Sequence, residues 1–469
     1  MIFNDDEDEV PDIYISPSEP NVLTDEDSAD EDDGGLIDDL SGRQLLSDAE
    51  IHVRGVDQPT GADLEEEDVV DDSQPLSELG IEAHEELLRT LKGRKYDKRT
   101  WLDGDMTKSS HFPAPDFSEF RDMSPAGLFE LFFDEGMMLY ILEETKKYAL
   151  FSTCPDPQVT MEELRCFLAI LIVSGYNILP GKRFYWDSGE DMSNGMIKEA
   201  MRRDRFIQIM RFVHCADNTK MDPQDKMWKL RPIITRLQES FLKYYRPTEH
   251  MNYDESMIKY FGRHNRKQFI RGKPIRFGYK VWCLNSENSY LVNFDIYQGK
   301  SPRPNEPYEA AFGKAAAPLV VMLDKLPTRN LPYQLYVDNL FTSFNLLVYL
   351  KERGYGVTGT IRENRVPKDF PLEKKSMTKA NRGTLVAKID KEDGIILMRW
   401  IDNAVVTVAS TSYGMNPIQQ VKRYSQTEKK IIQVPRSHAI GMYNKYMGGT
   451  DRMDEDLARY RISIRSKKW

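Results

Sequence analysis

At Glu249 the spacing of apolar residues changes period, and that change limits what the chain can fold into. Before it, apolar residues recur every three or four positions, as on one face of a helix. Leu128, Leu131, Phe132, Ile141 and Leu142 follow this spacing, and so do Leu230, Ile233, Ile234, Leu237 and Phe241 within Met227–Tyr245. Met196–Val213 carries a further helical pattern. Thr160 and Glu163 form a capping box ahead of Cys166-Phe-Leu-Ala-Ile-Leu-Ile, where each side chain satisfies the other residue's backbone N–H. Residues 112–247 therefore read as all-helical, with their apolar stripes forming a core.

After Glu249 the alternation belongs to strands. Met251–Phe261 reads as a strand, and Arg276–Leu284 with Tyr290–Tyr297 as a hairpin around Asn-Ser-Glu-Asn-Ser. A helix is expected over 308–325, a strand over Leu331–Val337, a helix over Ser343–Lys351 and a strand over Tyr355–Ile361. The order β–ββ–α–β–α–β suggests a mixed α+β, RNase H-like sheet. Leu385–Ile389, Ile395–Ile401 and Ala404–Ala409 then read as a small all-β insert, and a helix opens near Thr450.

Charge divides the chain differently. Residues 1–80 hold 27 Asp and Glu against 2 Lys and Arg, whereas the remainder holds 48 against 62. Charge blocks without apolar periodicity make residues 1 to about 110 read as a disordered acidic tail. The basic remainder suits a polyanion, nucleic acid being the commonest, or else a solvated basic surface. Cys154, Cys166, Cys215 and Cys283 form no CxxC pair, which indicates neither a disulfide framework nor a zinc module. The longest apolar run is too short and broken to span a bilayer.

Three separated stretches carry acidic residues that sheet and helix geometry can bring to one place. They are Met251-Asn-Tyr-Asp254-Glu255, Leu335-Tyr-Val-Asp338-Asn339 and Gly448-Gly-Thr-Asp451-Arg-Met-Asp454. Asp254 lies inside a strand, Asp338 ends one, and Asp451 and Asp454 share a helix face. Met453, Leu457 and Tyr460 form another face of that helix, expected to pack on the sheet. Carboxylates converging from strand, strand and helix are what two-metal phosphoryl-transfer sites use. Each aspartate alone also fits an ordinary turn or cap.

Between Tyr260 and Lys280, seven basic residues alternate with aromatics and glycines: Arg263, Arg266, Lys267, Arg271, Lys273, Arg276 and Lys280, with His264 among them. Cations there can hold phosphates while aromatics stack on bases; a solvated loop is the alternative. Arg459, Arg461, Arg465, Lys467 and Lys468 make a second basic group near the end of the chain.

These pieces resemble the piggyBac transposable element-derived family. The matching motifs include Phe167-Leu-Ala-Ile170 with Ser174-Gly-Tyr176, Ala200-Met-Arg-Arg-Asp-Arg-Phe206, Lys229-Leu-Arg-Pro232 and Asp254-Glu255. They continue with Tyr260-Phe-Gly-Arg-His264, Lys273-Pro-Ile-Arg-Phe-Gly-Tyr279 and Val337-Asp-Asn-Leu-Phe-Thr-Ser343. Gly354, Gly356, Thr358-Gly-Thr360, Tyr443-Asn and Gly448-Gly-Thr-Asp451 with Asp454 complete the set, which covers about 112–469 in order.

The resemblance implies a retroviral-integrase-type core that cuts transposon ends and joins them to TTAA targets. Its catalytic triad maps onto Asp254, Asp338 and Asp451, which would hold two Mg²⁺ or Mn²⁺ ions, with Asp454 as accessory. Arg263, His264, Arg266, Lys267, Arg271, Lys273, Arg276, Lys280, Arg461 and Arg465 would contact DNA. The expected division is 1–110 acidic tail, 111–250 helical dimerisation and DNA-binding domain, 251–362 first part of the core, 363–433 β-rich insertion, and 434–469 the last core helix with the start of a further helical segment. Family members continue with a cysteine/histidine-rich zinc module, so a C-terminally shortened member is expected. A homodimer, chromatin partners for the tail, a nuclear location and no membrane association complete the expectation. Two alternatives stay open: a domesticated, non-catalytic DNA-binding or chromatin protein, and an inactive fragment.

Overall fold

The computed structural model describes residues 12–15, 49–52, 85–92, 94, 98–106, 111–189, 191–192, 194–260, 268–269, 275, 277–299, 304–426 and 428–464. In the helical part, α1 (Glu135–Phe151), α2 (Met161–Tyr176) and α3 (Arg203–Phe212) enclose a core containing Met137, Ile141, Leu164, Phe167, Ile170, Phe206 and Ile209. The capping box forms: Glu163 N donates to Thr160 Oγ1 at 3.2 Å and Thr160 N to Glu163 Oε2 at 3.1 Å. The helical pattern over 196–213 divides into Gly195–Ala200 and α3, because Met201 turns to an extended conformation. The helix expected over Met227–Tyr245 is α4 (Arg231–Tyr244), which starts at a Pro in its first turn.

The strands are β1 (His250–Lys259), β2 (Phe277–Ser286), β3 (Leu291–Ile296), β4 (Gln334–Val337) and β5 (Gly356–Thr360). They lie in the order β3-β2-β1-β4-β5, with β2 antiparallel to β1 and β3, and with β1, β4 and β5 mutually parallel. The parallel crossovers run through α5 (Glu306–Phe312), α6 (Ala317–Asp324) and α7 (Phe344–Glu352). One helix was expected over 308–325; the chain breaks it at Gly313, whose φ of 83° is a left-handed conformation that favours glycine. These helices cover one face of the sheet, over Tyr253, Trp282, Leu284, Leu335, Val337 and Val357. Four-residue β4 is buried along its whole length, as suits a central parallel strand.

The segment after β5 supplies β6 (Leu385–Asp390), β7 (Ile396–Ile401) and β8 (Val405–Ser410). These continue the main sheet as β5-β8-β7-β6, all antiparallel. They cover the outer edge of β5, which would otherwise leave unpaired N–H and C=O groups. Strands β9 (Gln419–Ser425) and β10 (Lys430–Arg436) form a separate hairpin. Two helices then return to the sheet: α8 (His438–Tyr446) and α9 (Gly449–Arg459).

Two expectations need correction. Packing begins well before Phe112: residues 85–91 are helical, and Leu88 and Leu91 are buried in the main core. The dense acidic charge upstream masks that short apolar pattern. Within the same acidic stretch, Asp12–Ile15 pairs with Ala49–His52 and with Gln268–Phe269, and the rest of 1–84 lies outside the described residues. On α9, Met453 is buried, whereas Leu457 and Tyr460 are exposed. Only the first half of α9 lies over the sheet. Beyond it the chain crosses to the helical part, where Ser463 N donates to Ser174 Oγ at 3.3 Å and Ile464 enters the core of α1–α3.

The approach of α9 to β1 is limited by Gly449. A methyl group there would come within 2.2 Å of Asn252 Oδ1 and 2.8 Å of Ser286 O, whereas one at Gly448 meets nothing within 4 Å. Gly449→Ala is expected to lower stability by about 1–3 kcal/mol through overpacking, and Gly448→Ala to leave it unchanged. Thermal unfolding of the two variants checks the contrast.

Candidate active site

Register places the first two carboxylates side by side. Tyr253 of β1 pairs with Val337 of β4, and Val337 with Gly359 of β5. One residue further along each chain stand Asp254, Asp338 and Thr360, where the parallel pairing of β1, β4 and β5 ends, although β1 itself runs on to Lys259 against β2. In open α/β sheets, ligands gather at that end of the strands. The Asp254 carboxylate accepts from Glu255 N at 2.8 Å, and that of Asp338 from Leu340 N at 2.6 Å. The turn after Asp338 is closed by Thr342, whose Oγ1 donates to Asp338 O at 2.7 Å.

Helix α9 delivers the third carboxylate. Alternation along β1 puts Asn252, Asp254 and Ser256 on one face, and α9 engages the residues on both sides of Asp254. Asn252 Nδ2 donates to Thr450 Oγ1 at 2.9 Å, and Thr450 Oγ1 donates to Asn285 Oδ1 at 3.0 Å. Ser256 Oγ donates to Asp454 Oδ1 at 2.5 Å. Met453 fills the gap against Cys283, the cross-strand partner of Asp254, and against Ile234 of α4. Asp451 lies in the first turn of α9, where the helix dipole favours an anion. Asp254, Asp338 and Asp454 are half-buried, and Asp451 is exposed.

Tyr443 of α8 is buried beside the end of β5. Its phenol is raised well above the usual range, first by burial and then by the negative charges of Asp338, Asp254 and Asp451, against the lowering effect of Thr360. Among the described residues, no three His, Cys, Asp or Glu side chains are drawn together closely enough to hold a single ion. The donors are nonetheless hard carboxylate oxygens from separate elements, the set that suits Mg²⁺ or Mn²⁺ and excludes a soft-metal site.

The basic residues separate into three cases. Arg263, His264, Arg266, Lys267, Arg271, Lys273, Arg276 and Arg465 lie outside the described residues. Lys280 pairs with Met257 and leans over Trp282 at 4.6 Å, on the face opposite Asp254. Period-two alternation puts it there, so it does not join the carboxylates. Arg461 follows α9 and is half-buried, and burial lowers its guanidinium against the opposing charge of Asp454.

Sequence reading gave no role to Arg362 or Arg365. Arg362 Nε donates to Asn339 Oδ1 at 3.1 Å, and Arg365 NH1 donates to the carbonyls of Asn339, Leu340 and Thr342 at 3.1, 2.9 and 3.0 Å. Both brace the turn that presents Asp338. The available signal was their place just after Thr358-Gly-Thr360, a strand whose end falls in register with Asp338.

Thr450→Val keeps shape but leaves the buried amides of Asn252 and Asn285 without the hydroxyl between them. A loss of about 1–3 kcal/mol is expected, with amide exchange accelerating in α9 before α1. Urea unfolding combined with hydrogen exchange measures both.

The family described as Transposase IS4 matches residues 124–469. The chain is 39% identical to human "PiggyBac transposable element-derived protein 3" over 480 residues, covering 100% of this chain and 79% of that protein. It is 33% identical to human "PiggyBac transposable element-derived protein 2" over 462 residues, covering 97% and 74%. Human "Chimeric ERCC6-PGBD3 protein" matches at 39%, and the chain spans 44% of its length. In fold the chain is similar to the solved "Cryo-EM structure of piggyBac transposase synaptic complex with hairpin DNA (SNHP)", with a TM-score of 0.60 at 20% identity, covering 78% of this chain and 73% of that one.

Proposed function

The chain belongs to the piggyBac transposase family, and on that premise we propose that it cuts and joins DNA strands at a divalent-cation site built from Asp254, Asp338 and Asp451. The observation that carries this reading is the register that sets Asp254 of β1 beside Asp338 after β4, with α9, which bears Asp451, docked on the same face of β1 through Thr450 and Ser256. The order β3-β2-β1-β4-β5, with β2 alone antiparallel, supports reading the centre of the sheet as an RNase H-like core. The human relatives support a transposase ancestry, and the structural neighbour's synaptic complex with hairpin DNA supports DNA as the partner.

Asp254 and Asp338 would hold two cations from the sheet and Asp451 would hold them from α9, with Asp454, fixed by Ser256, assisting. The chemistry that Mg²⁺ or Mn²⁺ would supply there is a lowered proton affinity for the attacking hydroxyl and stabilisation of the departing oxygen. The protein's own contribution is position. The β1–β4–β5 register and the Thr450 network set where the carboxylates stand, and Arg362 and Arg365 brace the Asp338 turn. The reaction is an in-line displacement at phosphorus: a P–O bond to water or a 3′-hydroxyl forms as the bond to the 3′-oxygen of the cut strand breaks.

The basic segment joining β1 to β2, together with Arg461 and Arg465, holds the phosphate backbone, and TTAA is the target sequence that the family resemblance suggests. None of the described helices is long and apolar enough to cross a membrane. A nuclear homodimer acting on DNA, with the acidic tail recruiting chromatin partners, completes the proposal.

Asp338→Asn removes one ligand charge without changing shape. Losing even an outer-shell partner costs about 10–100-fold, so Mn²⁺-dependent nicking of a labelled TTAA duplex is expected to fall about 100-fold or more. Duplex binding measured in chelator should stay at the wild-type level. Undiminished nicking by the variant would sink the assignment.

A further inference from the structure

We propose that the β9–β10 hairpin is a DNA-contacting ribbon, which lays its outward face in the major groove of the duplex beside the carboxylate site. This rests on the DNA-cleaving reading above and adds a contact surface to it.

The hairpin is held to the sheet by its inward side. Val434 is buried against Ile396, Met398 and Val408, and Trp400 Nε1 donates to Pro435 O at 2.7 Å. Asp402 accepts from Arg382 Nε and from Arg423 Nε, each at 2.8 Å, and Arg382 Nη1 donates to Tyr424 O at 3.0 Å. A two-stranded hairpin is marginal on its own, so these contacts fix its direction. They also fix its place. Ala439 and Ile440 of α8 join the same cluster as Val434. At its other end α8 stacks Tyr446 on His250, which shares a face of β1 with Asp254. Hairpin, α8 and carboxylates therefore lie on one side of the sheet. Val408 pairs with Thr360, and Trp400 with Val406, so Trp400 stands at the same end of the sheet as Asp338. Three strand spacings separate β7 from β4, about 15 Å. A duplex whose cut phosphate lies at the carboxylates reaches the hairpin within half a helical turn, about 17 Å.

The outward face carries the residues that a nucleic acid would use. Gln420, Lys422 and Tyr424 alternate along β9 and are exposed, opposite Pro435, Gln433 and Ile431 of β10. Tyr424 and Ile431 form a cross-strand pair that is 52% and 65% exposed. Residues 419–436 hold five basic side chains, Lys422, Arg423, Lys429, Lys430 and Arg436, against the single acidic Glu428. Glu428 pairs with Lys430 at 2.8 Å, and Lys422 and Lys429 are exposed. The major groove is about 12 Å wide and admits a two-stranded ribbon. Seated there, Lys422 and Lys429 reach phosphates, and Gln420 and Gln433 reach base edges. Tyr424 and Ile431 then lie against the groove floor, where thymine methyl groups offer apolar contact. A second copy of the chain would also cover Tyr424 and Ile431, but protein interfaces are depleted of lysine, and the charge excess here favours DNA.

The test is binding of the full chain, in chelator, to a labelled duplex carrying one TTAA, between about 50 and 200 mM salt. Wild type is compared with the double variant Lys422→Gln, Lys429→Gln and with Ile431→Lys. Thermal unfolding and sedimentation are recorded for each. The double variant is expected to bind more weakly, and its slope of log affinity against log salt to flatten by about 0.9 for each lysine removed. Ile431→Lys should bind more tightly and steepen the slope by about 0.9, a gain that misfolding cannot produce. An unchanged slope in the double variant, with wild type binding the duplex, overturns the role of the hairpin. The cleavage reading then stands, since nicking by Asp338→Asn tests it separately. If the double variant also loses Tm, Ile431→Lys decides, and an unchanged slope there overturns the inference. Weaker self-association in Ile431→Lys at unchanged duplex binding makes this face a contact between copies and overturns it too. A wild type that binds no duplex overturns both readings.

Discussion

The contact between Gly449 and Asn252 is the constraint on which the site depends. A methyl group at Gly449 would stand 2.2 Å from the Asn252 amide oxygen, so only a bare backbone lets α9 lie this close to β1. At that distance Thr450 reaches Asn252 and Asn285, Ser256 reaches Asp454, and Met453 fills the space between helix and sheet. Polar groups buried without partners cost free energy. The network therefore tolerates little sliding of α9, and Asp451 is fixed relative to Asp254 by the same contacts.

The remaining architecture supports that contact from both sides. Helices α5, α6 and α7 bury the opposite face of β1, β2 and β4 in the main core, so the strands carrying Asp254 and Asp338 are anchored away from their charges. The later strands cover β5, whose end supplies Thr360. Helix α4 belongs to the helical part by sequence order but packs on β2 and β3 through Ile234 and Phe241, with Gln238 bonded to Asn293 at 3.3 Å. The segment 460–464 links α9 to α2 through Ser174 and adds Ile464 to the helical core. Sheet and helical part are thus joined through the same helix that carries Asp451. A shift of one is transmitted to the other through packed contacts.

Much of this was legible in the sequence because the signals are local. The change of period at Glu249 separates helices from strands, the Thr160–Glu163 box marks a helix start, and the Asn-Ser-Glu-Asn-Ser turn marks the β2–β3 hairpin. The acidic positions could be read because each sits at a strand or helix end within a distinctive motif. Long-range pairing was not legible. No local pattern says that β8 pairs with β5, so the later strands read as a separate insert. Leu457 and Tyr460 hold the right spacing on α9, yet the sheet ends before it reaches them. Leu88 and Leu91 were hidden by their acidic surroundings. Lys280 belongs to the basic run by sequence but faces the other way by strand parity. Arg362 and Arg365 gain meaning only when register brings Thr360 beside Asp338.

The most direct test of the central claim is to locate bound cations. Crystals of the full chain grown with Mn²⁺ and measured at a wavelength where manganese scatters anomalously would show where the ions lie. The expected result is anomalous density between the Asp254, Asp338 and Asp451 carboxylates. Density confined to other residues, or none at this site in crystals whose protein nicks DNA in Mn²⁺, would contradict the account.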